Sequence, residues 1–351
     1  MVLTTIGLWL RFLAPYYTFV YAIIGQTIMA IGQPFMYNAP PKISATWFEE
    51  DQRIMATSIG AYANVVGVAF GCFVPAFYMH DEDTVDEAKH NLADMSFMLA
   101  VASTIICVLS LLFIKDNKQA AIQQSEEEQV SLKQTMVILL KNSSFIKVAL
   151  SHSLAMTFFF SFVTVLEQMI SVYGFTSTQA SYLSTALQIA GLLGGAIYSI
   201  ILTKLGSGTF KATSLVIIGG TFITLILFHF LLQTRNYYLL LTATCLNGFF
   251  SLSQFSVAYE MSIHVSREIN NMPYQEITSF SNSIEDAKKK PVLGEATISG
   301  IINLLANLCA FIAVLILTPI LDRGLEIDVS ITDAIFAVIL LISIVLMMLY
   351  K

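Results

Sequence analysis

The chain has 351 residues, of which 56% are hydrophobic and only 12% charged, with a mean hydropathy of +0.72. So little polar surface cannot cover a soluble globule of this size, and the sequence reads as an integral membrane protein. The net charge of −6 comes mainly from acidic loops such as Asp81 to Glu87 and Glu126 to Glu128, so it says little about partners, and no nucleic-acid reading survives. Cys72, Cys107, Cys245 and Cys309 lie far apart inside apolar segments, without metal-ligand spacing, and read as small buried apolar residues. No metal or other cofactor is expected.

A spanning helix needs about 20 apolar residues. The chain opens inside a partial span, Met1 to Leu13, with no basic region of the kind that begins a cleavable signal peptide. Nine longer runs follow, near 17–38, 54–78, 95–114, 145–172, 181–202, 214–232, 237–264, 295–319 and 334–350. The expected fold is therefore all-α, a polytopic bundle of about ten spans. The Lys/Gln/Glu-rich stretch 115–142 reads as a solvated linker, in which Ser131 to Leu140 has the pattern of an amphipathic surface helix. It separates a partial N-terminal lobe, 1–114, from a six-helix C-terminal lobe, 143–351. With these spans, fourteen of the 18 Lys and Arg residues fall on one side, against Arg11, Lys89, Arg235 and Arg323 on the other. The Lys-rich side is thus cytoplasmic, and the Asn142-Ser143-Ser144 sequon is expected to stay unglycosylated.

Polar groups inside these spans are the candidate site. In the second run Gln26 and Gln33 stand seven residues apart, nearly on one helix face, beside Gly25 and Gly32, and Pro34 can bend the rod. An amide in hydrocarbon needs a neighbouring helix or a wet cavity, so both interhelical packing and cavity lining remain open for this face. In the third run Gly60, Asn64, Gly67 and Gly71 form a stripe of small residues carrying one amide. The run 145–172 carries Ser153, Thr157, Ser161, Thr164 and Gln168 at helical spacing, a stripe expected to face water or solute, beside a possible aromatic wall of Phe158, Phe159, Phe160 and Phe162. Near the end of the chain Glu295, Ser299, Asn303 and Asn307 repeat every four residues. Glu167 and Glu260 are the carboxyls expected well inside spans, where either can couple to protons or hold a cation. For Glu167 an interfacial position at a helix end is the alternative. His152 and His229 read as interfacial or internally satisfied, and His264 can pair with Glu260 one turn away. No zinc-binding His-Glu-x-x-His, Gly-x-Gly-Asp or Gly-x-Ser-x-Gly pattern is present, so an enzyme is not expected.

Several of these stretches together resemble one family. Gly25-Gln26, Gln33-Pro34-Phe35, Asn38-Ala39-Pro40-Pro41-Lys42 and Ala45-Thr46-Trp47-Phe48 are similar to the fourth helix and following loop of the feline leukaemia virus subgroup C receptor-related transporters, within the major facilitator superfamily. Ser58-Ile59-Gly60 with Asn64, Glu167-Gln168, Tyr259-Glu260 and the run Glu295 to Asn303 resemble parts of their fifth, seventh, tenth and eleventh helices. On that plan the chain holds helices 3 to 12. The resemblance implies a facilitator-type carrier of a small organic solute, a choline- or ethanolamine-like amine, working by alternating access as a monomer. A haem carrier, or a truncated relative that does not transport, is the alternative. It implies an aromatic cage for a quaternary ammonium, with the helix-7 aromatic at Phe160 and a helix-11 amide at Asn307. Val65 stands where the relatives have a helix-5 glutamine, and 265–290 forms a long loop where they have a short turn. The expected cavity residues are Gln26, Gln33, Asn64, Phe160, Gln168, Glu260, Asn303 and Asn307.

Overall fold

The computed structural model describes residues 1–37, 39, 43, 47, 48, 50–79, 82–113, 132–205, 207–271 and 295–350, and among them every regular element is helical. The helices are α1 Val2–Leu13, α2 Val20–Tyr37, α3 Glu50–Phe73, α4 Pro75–Tyr78, α5 Val85–Phe113, α6 Leu132–Lys141, α7 Ser143–Ser171, α8 Ser177–Leu205, α9 Phe210–Gln233, α10 Tyr237–Asn271, α11 Glu295–Leu321 and α12 Glu326–Leu349. They gather into two compact units, Met1–Glu127 with Ser177–Tyr182, and Glu128–Thr176 with Leu183–Lys351. Six helices among the described residues are long and apolar enough to cross a membrane, and Val2–Leu13, Val20–Gln33 and Ala63–Tyr78 are shorter apolar stretches. That is fewer than the nine full spans expected. The Tyr237 stretch is a helix as expected, but Asn247, Ser251, Ser253 and Gln254 dilute its apolar content, and it is held by burial against its neighbours.

In the first unit α1 packs on α2 and α5. The α1–α2 contact is backbone to backbone: a Cβ on Gly7 would stand 2.5 Å from the Gly25 carbonyl oxygen, and one on Gly25 the same distance from the Gly7 oxygen. Two facing glycines let these helices approach more closely than side chains allow. On the other flank Thr5 Oγ1 and Ser103 Oγ are 2.9 Å apart, Trp9 Nε1 donates to Thr104 Oγ1 at 3.0 Å, and Trp9 meets Phe12 and Phe97 edge on while those two rings are tilted at 51°. Helix α5 starts at Val85, ten residues before the expected Met95. Glu87 Oε2 accepts from the Thr84 N–H at 2.9 Å, and Thr84 Oγ1 accepts from the Glu87 N–H at 3.4 Å. This reciprocal cap lets the helix begin in water, among charges that end an apolar run.

The second unit is built around α7, in which 72% of the apolar window is buried, against 22–39% for the other spanning helices of this unit. Asn142 caps α7 by accepting from the Phe145 N–H at 2.9 Å and is 9% exposed. Occupied and buried, this asparagine is expected to carry no glycan when the chain is made in a eukaryotic cell. An endoglycosidase-induced mobility shift assigned to Asn142 would contradict that. Helix α6 forms where an amphipathic helix was expected, with Ile138 and Leu139 packed into a cluster with Phe145, Ile269 and Ile298. Helix α10 runs on to Asn271, so the start of the expected 265–290 loop is helical; 272–290 lie outside the described residues. Helix α12 begins at Glu326, not near Ala334, and buries Val329, Thr332, Phe336, Leu340, Ser343 and Met347 at three- and four-residue intervals. Its last carbonyls, those of Met348 and Tyr350, accept from Lys211 Nζ.

Candidate functional site

The polar stripe of α7 is not a wet face. Ser153, Thr157 and Ser161 are at most 2% exposed and reach the backbone carbonyls of Ile302 (3.0 Å), Ala306 (3.2 Å) and Ala310 (3.4 Å) on α11, Thr157 sharing its hydroxyl with the nearer Ser153 carbonyl at 2.8 Å. Each bond spans 149 residues, a constant offset that makes α7 and α11 parallel and in fixed register. Spare hydroxyls in hydrocarbon settle on a neighbouring helix's carbonyls, which corrects the expectation that these three meet water or solute. Replacing all three by alanine is expected to destabilise the protein by about 2 kcal/mol in total, at roughly 0.6 kcal/mol per intramembrane bond, with solute affinity unchanged. Thermal unfolding and ligand binding measured on the triple variant check this. On the opposite side Ser151 and Ser343 exchange hydroxyl-to-carbonyl bonds at 2.8 and 2.7 Å, tying α7 to α12.

The stripe continues onto an open face. Thr164 is exposed, with its hydroxyl bonded back to the Phe160 carbonyl at 2.7 Å, and Glu167 is also exposed, in keeping with a helix-end position. Gln168 Nε2 lies 3.4 Å from Asp322 Oδ1, and its Oε1 has no hydrogen-bond partner among the described residues. Phe160 is partly buried and meets Phe255 of α10 at 5.4 Å and 80°, with Phe159 closing the group at 5.8 and 5.6 Å. Phe158 and Phe162 instead are buried against Phe228 and Phe336, so they belong to the core. On α11 Asn307 is exposed and Asn303 partly so, with Asn307 Nδ2 donating to the Asn303 carbonyl at 2.8 Å. Phe160, Phe255 and Ile301 cover one apolar cluster, which brings α7, α10 and α11 together.

Glu260 lies on α10 between buried Ala258 and Met261; its side chain, like those of Pro34, Glu295 and Ser299, lies outside the described residues. Gln26, Gln33 and Asn64 belong to the first unit. All three are exposed there, while their companions Gly25 and Gly32 are buried against α1. The glycine stripe of α3 stays open, since nothing among the described residues would touch a Cβ at Gly67 or Gly71.

Sequence reasoning missed two polar groupings. His152 is fully buried, with Nδ1 on the Gln254 amide and Nε2 3.2 Å from Met261 Sδ. His229 Nδ1 lies 2.7 Å from Asp333 Oδ2, and near it Arg323 pairs with Asp328 at 2.7 Å and Arg235 with Glu326 at 2.9 Å. Both histidines are internally satisfied, as one reading allowed. Asp328 and Asp333, 1% and 6% exposed, are further buried carboxyls hidden by placing the last span too late.

Helices in two units among the described residues, several of them long and apolar enough to span, have the architecture of a polytopic membrane protein. The chain is similar to the solved Escherichia coli fucose:proton symporter FucP (TM-score 0.59, 14% identity, 100% of this chain and 82% of that one). A bacterial homologue of the human lysosomal transporter Spinster gives a TM-score of 0.60 at 10% identity, over 99% and 81% of the two chains. The sequence model of the Major Facilitator Superfamily matches residues 1–270, and the chain belongs to that superfamily. Among curated relatives, choline/ethanolamine transporter flvcr2b of Danio rerio is 25% identical over 251 residues, covering 69% of this chain and 51% of the relative. Choline/ethanolamine transporter FLVCR2 of Homo sapiens is 23% identical over 274 residues, covering 75% and 52%. These relatives bear out the resemblance read from the motifs. The chain spans about half the length of the curated relatives it matches.

Proposed function

We propose that the chain carries a small organic amine of the choline or ethanolamine type across a membrane, as a monomer, by alternating access between a lobe of 1–114 and a lobe of 143–351 joined by a cytoplasmic linker at 115–142. The solute-facing groups in this reading are Gln26, Gln33 and Asn64 from the first lobe, and Phe160, Gln168, Glu260, Asn303 and Asn307 from the second. The observation that carries it is the edge-to-face group of Phe160 and Phe255 beside the amide-bearing α11. Aromatic faces suit a quaternary ammonium, which has no N–H to satisfy and gains from polarisable contact, and the neutral amides offer acceptors for the N–H donors of a primary one. The names of the relatives, choline/ethanolamine transporters, favour this over haem.

Uptake of labelled choline, ethanolamine and a fluorescent haem analogue by cells expressing the chain tests the reading. Choline or ethanolamine uptake above vector control, each competing with the other, is expected; haem uptake alone would overturn the amine reading, and no uptake of any would overturn transport. Glu260→Gln is expected to change the pH profile of uptake if that carboxyl couples to protons, with Glu167→Gln as the comparison. An unchanged profile in both removes that role from both.

A further inference from the structure

We propose that His229 and Asp333 form a proton-binding clasp that fastens α9 to α12, at the end of the second unit away from Lys204 and Lys211. The two side chains come from helices far apart in sequence and meet at 2.7 Å. Asp333 is 6% exposed, and its second oxygen, Oδ1, has no hydrogen-bond partner among the described residues. A carboxylate so enclosed is a stable anion only while its partner supplies a proton or a positive charge.

The other ring nitrogen, Nε2 of His229, lies 3.0 Å from the Gln233 side-chain amide. That amide can turn its NH2 toward a neutral ring or its oxygen toward a protonated one. Both protonation states therefore fit without backbone movement. Gln233 is exposed, His229 partly exposed and Asp333 buried, so the three make a graded path from the helix end to the buried carboxylate.

The surrounding charges leave this role to His229. Arg323, in the turn before α12, pairs with Asp328, and Arg235, in the turn after α9, pairs with Glu326. Asp322, beyond α11, meets the Gln168 amide. From the turn after α7 the Tyr173 phenol lies near enough to feel the charges of Glu326, Asp333 and Arg235. Each arginine thus has its own carboxylate, and the imidazole answers Asp333.

An imidazole ordinarily titrates near pH 6.5, within the range over which cell compartments differ. With the imidazolium and the carboxylate both charged, the clasp is an ion pair. As pH rises and the ring loses a proton, one neutral hydrogen bond remains beside a buried charge, so the α9–α12 attachment weakens. The clasp is separate from Glu167 and Glu260 and assumes nothing about the solute.

The test uses the full chain in nanodiscs. Imidazole NMR of histidine-labelled protein from pH 5 to 8.5 should show one ring that titrates and whose midpoint moves in Asp333→Asn. The thermal midpoint of the wild type should fall by about 1–2 °C from pH 5.5 to 8, on the per-residue unfolding entropy of a chain this long. His229→Gln should flatten that profile, and Asp333→Glu, which keeps the pair, should retain it. A wild-type slope preserved in His229→Gln overturns the proposal. If Asp333→Asn or His229→Gln fails to fold, the wild-type and Asp333→Glu spectra still decide: the ring displaced in Asp333→Glu must titrate in the wild type, and a ring unchanged across the range overturns the clasp.

Discussion

Gly248→Ala is expected to abolish recovery of a folded, monodisperse protein, whereas Gly219→Ala on the adjacent α9 leaves it folded and slightly more stable. At the α8–α10 crossing a Cβ on Gly248 would overlap the backbone carbonyl of Leu187, and one on Gly194 would overlap that of Phe249. A Cβ on Gly191 would come within 2.5 Å of Leu252 Cβ. With backbone on both sides, no side chain can turn aside, and the helices must part by about 1 Å to admit one methyl. Parting them loosens Leu187, Ala243 and Asn247, all 0–2% exposed, so overpacking of about 1–3 kcal/mol is joined by lost contacts along the crossing. At Gly219 nothing lies within 4 Å of the added methyl, and alanine in a helix gains about 0.5–1 kcal/mol over glycine. Size-exclusion profiles and thermal midpoints of the two variants make the comparison. Equal midpoints would mean that α8 and α10 do not approach this closely.

On the amine reading proposed above, Phe160→Leu is expected to raise the KM for choline about tenfold while leaving the thermal midpoint near that of the wild type, and Phe160→Trp to keep the wild-type KM or lower it. Leucine preserves most of the apolar contact with Phe255 and the buried cluster beneath it but removes the π face, and a desolvated cation–π contact is worth about 0.5–2 kcal/mol. Phe158→Leu is the control. That ring is 0% exposed between Phe162 and Phe336, so its loss should lower the midpoint without a selective effect on KM. Should both variants act alike on KM, Phe160 is core and not a solute contact.

The helices were legible because a membrane fixes the length of an apolar run, and the runs survive as α1 to α3, α5 and α7 to α12. Their ends were less so. Asp86, Glu87 and Lys89 end hydropathy at α5 but not helix, since the Thr84–Glu87 cap carries the helix into water. Asp328 and Asp333 gave 326–333 the look of a loop, although Val329, Thr332 and Phe336 already had helical spacing. That spacing was the signal that could have exposed the His229–Asp333 pair. The candidate site was readable residue by residue but not face by face. Composition cannot say whether a hydroxyl meets water or another helix's carbonyl, and Ser153, Thr157 and Ser161 met carbonyls. Phe255 gave no signal of its own, because its significance lies in meeting Phe160 from another helix.

The hydroxyl ladder from α7 has a bearing on how such a chain can change over time. Its acceptors on α11 are main-chain oxygens, which every amino acid supplies, so the attachment asks only that the side chains at Ile302, Ala306 and Ala310 leave the helices in contact. Mutation elsewhere on α11 leaves these bonds untouched. Substitution on the other faces of α11 can therefore proceed while these three hydroxyls go on fastening it to α7.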